Sequence, residues 1–170
     1  MKRTKRLTLC AVLISLALAL SYTERFIPLQ LLIPLPGIKL GLANIVTLVA
    51  LYLLGNRSAF LILVLRCFLS SLFGGGISGL LFSLTGGCLA MLVMTAARRF
   101  PCFSVYGVSI LGAAAHNVGQ IGAAMVIMQS VYIGAYLPYL LIVALFTGFA
   151  TGSAASGVLR VLSVSRLAQL

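Results

Sequence analysis

Gly112-Ala-Ala-Ala-His-Asn-Val-Gly-Gln-Ile-Gly122 lies inside a long apolar segment, yet it carries the chain's one histidine, His116, with Asn117 and Gln120 beside it. Read as a helix, the stretch sets His116 and Gln120 one turn apart, flanked on the same side by Ala113 and Asn117. The adjacent stripe of Ala115, Gly119 and Ala123 has no bulk, so another helix can approach closely there. Polar side chains at such depth are costly unless they meet a partner, a cavity or a ligand. Two readings stand: these groups bond neighbouring helices and hold a bundle together, or they line a substrate site.

The rest of the chain agrees that the surroundings are membrane. Of 170 residues, 62% are hydrophobic and 8% are charged, against about 25% charged in ordinary soluble chains. The length allows roughly six spans of about 20 residues with short connections. That makes one compact membrane domain over residues 1–170, with no room for a separate nucleotide-binding module.

Twelve Lys and Arg stand against one acid, Glu24, and there is no Asp, giving a net charge of +11. The cations sit mainly at the ends of apolar runs, as topology signals do, which argues against nucleic acid. One carboxylate can neither hold catalytic Mg²⁺ nor pair as general acid and base. An enzyme, a metal site and a bound cofactor are therefore not expected. Cys10, Cys67, Cys88 and Cys102 lack metal-ligand spacing and imply no disulfide framework.

Along the chain, the basic leader Lys2 to Arg6 precedes a first helix over 7–22, retained rather than cleaved, whose Ala11, Ser15 and Ala19 form a smooth stripe for docking another helix. Residues 24–38 form a proline-broken apolar loop that folds back as a lid or lies in the interface. Further helices are expected over 38–54, 59–73, 79–97, 104–132 and 137–160, the fifth being too long for one straight span. Lys39 near the outer end either snorkels to headgroups or faces an anionic ligand, and Asn44 lies about a turn further in.

Arg66, in the middle of the third helix, has no acid at its depth and costs at least about 2.5 kcal/mol to insert. It either serves a pocket or bonds the backbone of Gly74-Gly-Gly76, which lacks the Lys-Ser/Thr of a phosphate loop. With both termini cytoplasmic, nine cations fall inside, Lys2, Arg3, Lys5, Arg6, Arg57, Arg98, Arg99, Arg160 and Arg166, and only Arg25 and Lys39 outside. The fold class is an all-α integral membrane protein, a six-transmembrane-helix bundle.

Pro36-Gly-Ile-Lys-Leu-Gly-Leu-Ala-Asn-Ile45, Arg66 with Ser70-Ser-Leu-Phe-Gly-Gly75, and Gly112 with His116-Asn-Val-Gly-Gln120 resemble the bacterial Gx transporters, also labelled heptaprenyl diphosphate synthase component I. That family is similar to the substrate-binding S components of energy-coupling factor (ECF) transporters. The resemblance implies a six-helix bundle in the plasma membrane that captures a small molecule, isoprenoid- or vitamin-like, while three candidate cations against one acid point to an anionic one. Its partners would be a transmembrane coupling subunit and two ATPases, docked through Ala11, Ser15 and Ala19. Arg66, His116, Asn117 and Gln120 would line the site, with Lys39 and Asn44 at its mouth. Prenyl diphosphate synthases rely on aspartate-rich metal motifs that this sequence lacks, so catalysis is not expected from it. The alternative is a non-transporting membrane subunit associated with isoprenoid or quinone biosynthesis or flavin-linked electron transfer.

Overall fold

A computed structural model describes residues 3–26 and 41–167. Helix α1 (Arg3–Thr23) runs into a 3-10 turn, Glu24–Phe26, and α2 spans Asn44–Leu54. Helix α3 (Asn56–Ser70) passes through a π turn, Ser71–Gly75, into α4 (Gly76–Ala97), and α5 spans Val105–Ile127. A 3-10 segment, Val131–Tyr136, then leads into α6 (Leu137–Leu167). No strand occurs among the described residues. Hydrocarbon offers backbone groups no partner, so apolar segments of this length satisfy their own N–H and C=O as helix.

Five of these helical segments are long and apolar enough to cross a membrane, and α2, at 11 residues, is shorter. The chain is a multi-pass membrane protein.

The boundaries differ from the sequence reading in several places. Helix α1 starts at Arg3 rather than 7, and residues 41–43 of the expected second helix precede α2. Helix α4 starts at Gly76 rather than 79, and α6 runs to Leu167 rather than 160. The third helix starts at Asn56 rather than 59, because Gly55, at φ 81, makes the break by itself. It ends at Ser70, where Phe73 and Gly74 (φ 99) leave helical geometry and reset the chain for α4. The fifth helix stops at Ile127 instead of reaching 132, since Gln129 takes a left-handed φ of 49 and turns the chain. That turn removes the excess length. Residues 38–40 of the expected second helix lie outside the described residues.

Helix α5 is the centre of the packing, with α4 on one side and α6 on the other. A Cβ on Gly119 would stand 2.8 Å from the Cα of Gly86, so α4 and α5 meet backbone to backbone. The small stripe read from the sequence thus serves close approach.

Two apolar layers flank the middle of the bundle. One joins Leu13 and Ala17 of α1 with Val46, Leu48 to Leu51, Ile62, Leu63, Met91, Met94 and Val108. The other joins Phe82, Ile121, Ala124, Ile133 and Leu140. On α4, Gly86 falls between Phe82 and Ala90 of the two layers; on α5, His116 falls between Ile121 and Val108.

At the end of the bundle holding the α2–α3 turn, two arginines close the C-terminus of α2. Arg6 donates to the Leu54 carbonyl (3.2 Å) and to Ser58 Oγ (2.7 Å), while Arg98 donates to the Leu51 carbonyl. The last carbonyls of a helix lack intrahelical partners and carry partial negative charge, so cations are stabilising there. The Arg98 guanidinium also sits 4.8 Å from the centre of the Tyr52 ring.

Candidate functional site

Arg66 points from α3 into the bundle and is 5% exposed. Its Nη2 donates to Asn44 Oδ1 at 2.9 Å. An arginine accepts nothing, so the oxygen of Asn44 must face it and the amide nitrogen must face the other way. That nitrogen meets a second cluster. Asn44 Nδ2, His116 Cδ2 and His116 Nε2 lie 2.9, 3.0 and 3.3 Å from the point where a Cβ on Gly41 would stand.

Gly41 has φ 81, a left-handed backbone that favours glycine. Its missing side chain lets the start of α2 rest on the imidazole. On the far side, a Cβ on Gly86 would stand 2.9 Å from His116 Nδ1 and 3.0 Å from Gln120 Cγ. The one histidine is therefore held between two bare glycines. Gln120 Nε2 lies 3.1 Å from His116 Nε2, with donor and acceptor set by the tautomer. Asn44, Arg66, His116 and Gln120, drawn from α2, α3 and α5, thus form one buried polar layer between the two apolar ones.

Among the described residues, Arg66 Nε and Thr47 Oγ1 are buried and have no hydrogen-bond partner. An unmet buried donor costs roughly 1–3 kcal/mol, more when charged. Thr47, fully buried one turn along α2 from Asn44, escaped the sequence reading. Threonines in helices ordinarily bond their own preceding turn, as Thr85 does to Leu81 O (2.7 Å) and Thr147 to Val143 O (3.1 Å). Thr47 does not.

The family model for heptaprenyl diphosphate synthase component I matches residues 13–158. The chain belongs to that family. No curated protein and no solved structure matches it. The match to the heptaprenyl diphosphate synthase component I family runs from α1 into α6 and contains the whole polar layer.

In this member of the family, the other expected site residues fall elsewhere. Asn117 turns to the α6 side of α5, where Nδ2 donates to the Leu140 carbonyl at 2.8 Å. There it ties two helices. Lys39 and residues 27–40 lie outside the described residues. Glu24, the sole acid, is buried, and its Oε1 accepts the Leu42 N–H at 2.6 Å, which ties the end of α1 to the approach to α2.

No group of three or more His, Cys, Asp or Glu among the described residues could hold a metal. Two hollows lie elsewhere on the bundle. A groove of about 580 Å³ on the outer face of α4 and α5 is lined by Leu81, Thr85, Gly119, Gly122 and Val126 among others. A second of about 370 Å³ lies between α1, at Leu18, Ala19 and Tyr22, and the α3 terminus, at Ser70 and Phe73. The polar layer lines neither.

On α1, Ala11, Ser15 and Ala19 are all exposed, whereas Leu13 and Ala17 on the opposite face are buried. Ser15 Oγ bonds its own helix at Ala11 O, 3.1 Å away. That face therefore presents little bulk and no outward polar demand.

Proposed function

We propose that this protein is the substrate-binding membrane component of an ECF-type uptake transporter for a small anionic or polar-amphiphilic molecule. It acts in the bacterial cytoplasmic membrane, with both termini inside and α2 completing a sixth span. The observation that carries the reading is the buried layer of Arg66, Asn44, His116 and Gln120. A bundle needing only stability gains little from a guanidinium whose Nε is unsatisfied in hydrocarbon. A ligand arriving from outside gives that charge a use.

The exposed small-residue face of α1 supports the partner half of the reading. Without a hydrophobic driving force between helices, close backbone approach supplies association in the membrane. A coupling subunit docked there would hand the work of transport to ATPases, since a chain with one carboxylate has no means of its own to hydrolyse nucleotide.

Affinity purification of the tagged protein from native membranes tests this. Recovery of a second membrane subunit together with two ATPases is expected. Recovery of prenyl-transfer or redox enzymes without ATPases would replace the transporter by a non-transporting isoprenoid-associated subunit. That second reading draws on the family's printed name and on the apolar groove between α4 and α5, whose lining suits a hydrocarbon chain.

A further inference from the structure

We infer that the start of α2 and Arg66 together form a subsite for one carboxylate group of the ligand, with the Thr47 hydroxyl as an added donor. The inference rests on the substrate-binding reading for the ligand's role, and on the geometry for its chemistry.

Helix α2 begins in the middle of the bundle. Its 11 residues rise about 16 Å, roughly half of a hydrocarbon core near 30 Å. Asn44, its first residue, reaches Arg66, and Gly41 before it reaches His116, which stands midway along α5. A helix N-terminus carries about half a positive charge. Where a membrane helix is broken at mid-depth, that end points at anionic ligand groups. The Asn44 and Ile45 amides already donate to Gly41 O (2.8 Å) and Leu42 O (3.0 Å), so α2 offers its field rather than a free N–H. The N-terminus is not the only sign.

Arg66 adds a full charge to it. Its Nη2 is engaged with Asn44 Oδ1, whereas Nε has no partner among the described residues. The Nε and Nη2 hydrogens form a planar fork whose spacing matches the two oxygens of a carboxylate. The Asn44 bond fixes the plane of that fork. Thr47, one turn along α2 from Asn44, holds a buried hydroxyl that also has no partner among the described residues.

Charge selects among anions. One guanidinium neutralises one negative charge, and a dianion would leave an excess that the low-dielectric interior penalises. Glu24 already brings a carboxylate to the Leu42 amide, two residues before Asn44. A singly charged planar group fits; a dianionic phosphate does not. Because neither hollow opens on the polar layer, the smallest carboxylates are the right probes.

The test measures thermal unfolding of the purified full-length protein in detergent, titrated at constant ionic strength with formate, acetate, acetamide, chloride and inorganic phosphate. A saturable rise in midpoint with formate and acetate, absent with acetamide and chloride, is expected. Arg66→Gln should weaken half-saturation by roughly ten-fold or more, as loss of a charged hydrogen bond does. Thr47→Val, which keeps the side-chain shape and covers the case in which Arg66→Gln fails to fold, should weaken it by roughly three-fold or more. Glu24→Gln should tighten it by removing a like charge.

Equal effects of acetate and acetamide, a stronger effect of phosphate, or no saturable effect, as ordinary buried water at Arg66 would give, would each overturn the subsite. So would an acetate response unchanged in Thr47→Val and Arg66→Gln. The two readings separate cleanly. Recovery of a coupling subunit and ATPases without a carboxylate effect leaves the transporter and removes the subsite, and the converse pair of results does the reverse.

Discussion

Gly41 and Gly55 share a φ of 81 but not their surroundings. A Cβ on Gly41 would crowd Asn44 and His116, while one on Gly55 would meet nothing within 4 Å. Alanine at either position bears the strain of a left-handed backbone, roughly 1–2 kcal/mol. Gly41→Ala alone must also push a buried amide or imidazole, adding about 1–3 kcal/mol. Comparing the unfolding midpoints of the two variants in detergent isolates that contact; equal midpoints would mean that α2 does not rest on His116. Thr47→Val offers the opposite expectation. It removes a buried hydroxyl without a partner, so the ligand-free protein should be unchanged or more stable by up to about 1 kcal/mol. A clear loss of stability would show the hydroxyl to be bonded after all. Arg66, Asn44, His116 and Gln120 were legible in the sequence because polar types inside apolar runs carry a cost that demands explanation. Thr47 was not, since a helical threonine usually satisfies itself and only a rotamer reveals the exception. Asn117 was placed with its neighbour His116, yet successive helical residues point about 100° apart. One faces the polar layer and the other faces α6.

Helix α5 shows how element packing follows from missing side chains. Gly119 and Gly122 are one turn apart in sequence and differ entirely in surroundings. A Cβ on Gly119 would meet Gly86 and Thr85 backbone at 2.8 Å, and one on Gly122 nothing within 4 Å. Gly119→Ala should separate α4 from α5 and destabilise by about 1–3 kcal/mol, while Gly122→Ala should leave the midpoint within error. Equal effects would mean that the two helices do not touch where the structure brings them together. The helices themselves were readable from length and hydropathy. The breaks at Gly55 and Gly74 fall in or beside the gaps read at 55–58 and 74–78, whereas the one at Gln129 was not readable, because a single left-handed dihedral angle at a non-glycine residue is not encoded in composition. The half-length of α2 was hidden as well: the apolar pattern continues through Gly37-Ile-Lys-Leu-Gly-Leu-Ala. For α1, the exposed face gives a separable prediction. Leucines at Ala11 and Ser15 should leave the fold's stability intact, since both are exposed and neither lines the hollow between α1 and the end of α3. They should abolish recovery of a coupling subunit from membranes. A lost fold would instead place that face inside the bundle, and undiminished recovery would move docking elsewhere.

At the scale of the whole molecule, charge and thiol positions combine into a test of orientation. The described exposed cations, Lys5, Arg6, Arg57, Arg98, Arg99 and Arg160, gather at the end that holds the α2–α3 and α4–α5 turns. Arg6 and Arg98 reach across that end to α2 carbonyls, so three segments share it. Basic flanks of short loops remain cytoplasmic during insertion, which is the ground for proposing that this end faces the inside. The chain also carries a natural reporter. Cys102 is exposed in the α4–α5 turn, whereas Cys67 is buried and Cys10 and Cys88 are partly covered within helices. A membrane-impermeant maleimide should therefore leave Cys102 unmodified in intact cells and label it readily in inverted membrane vesicles. Cys102→Ser should remove that signal, which identifies its source. Labelling from outside the intact cell would invert the bundle. It would set the end of α1 and the approach to α2 toward the cytoplasm, and the proposed capture of a ligand from outside would then have no mouth to act through.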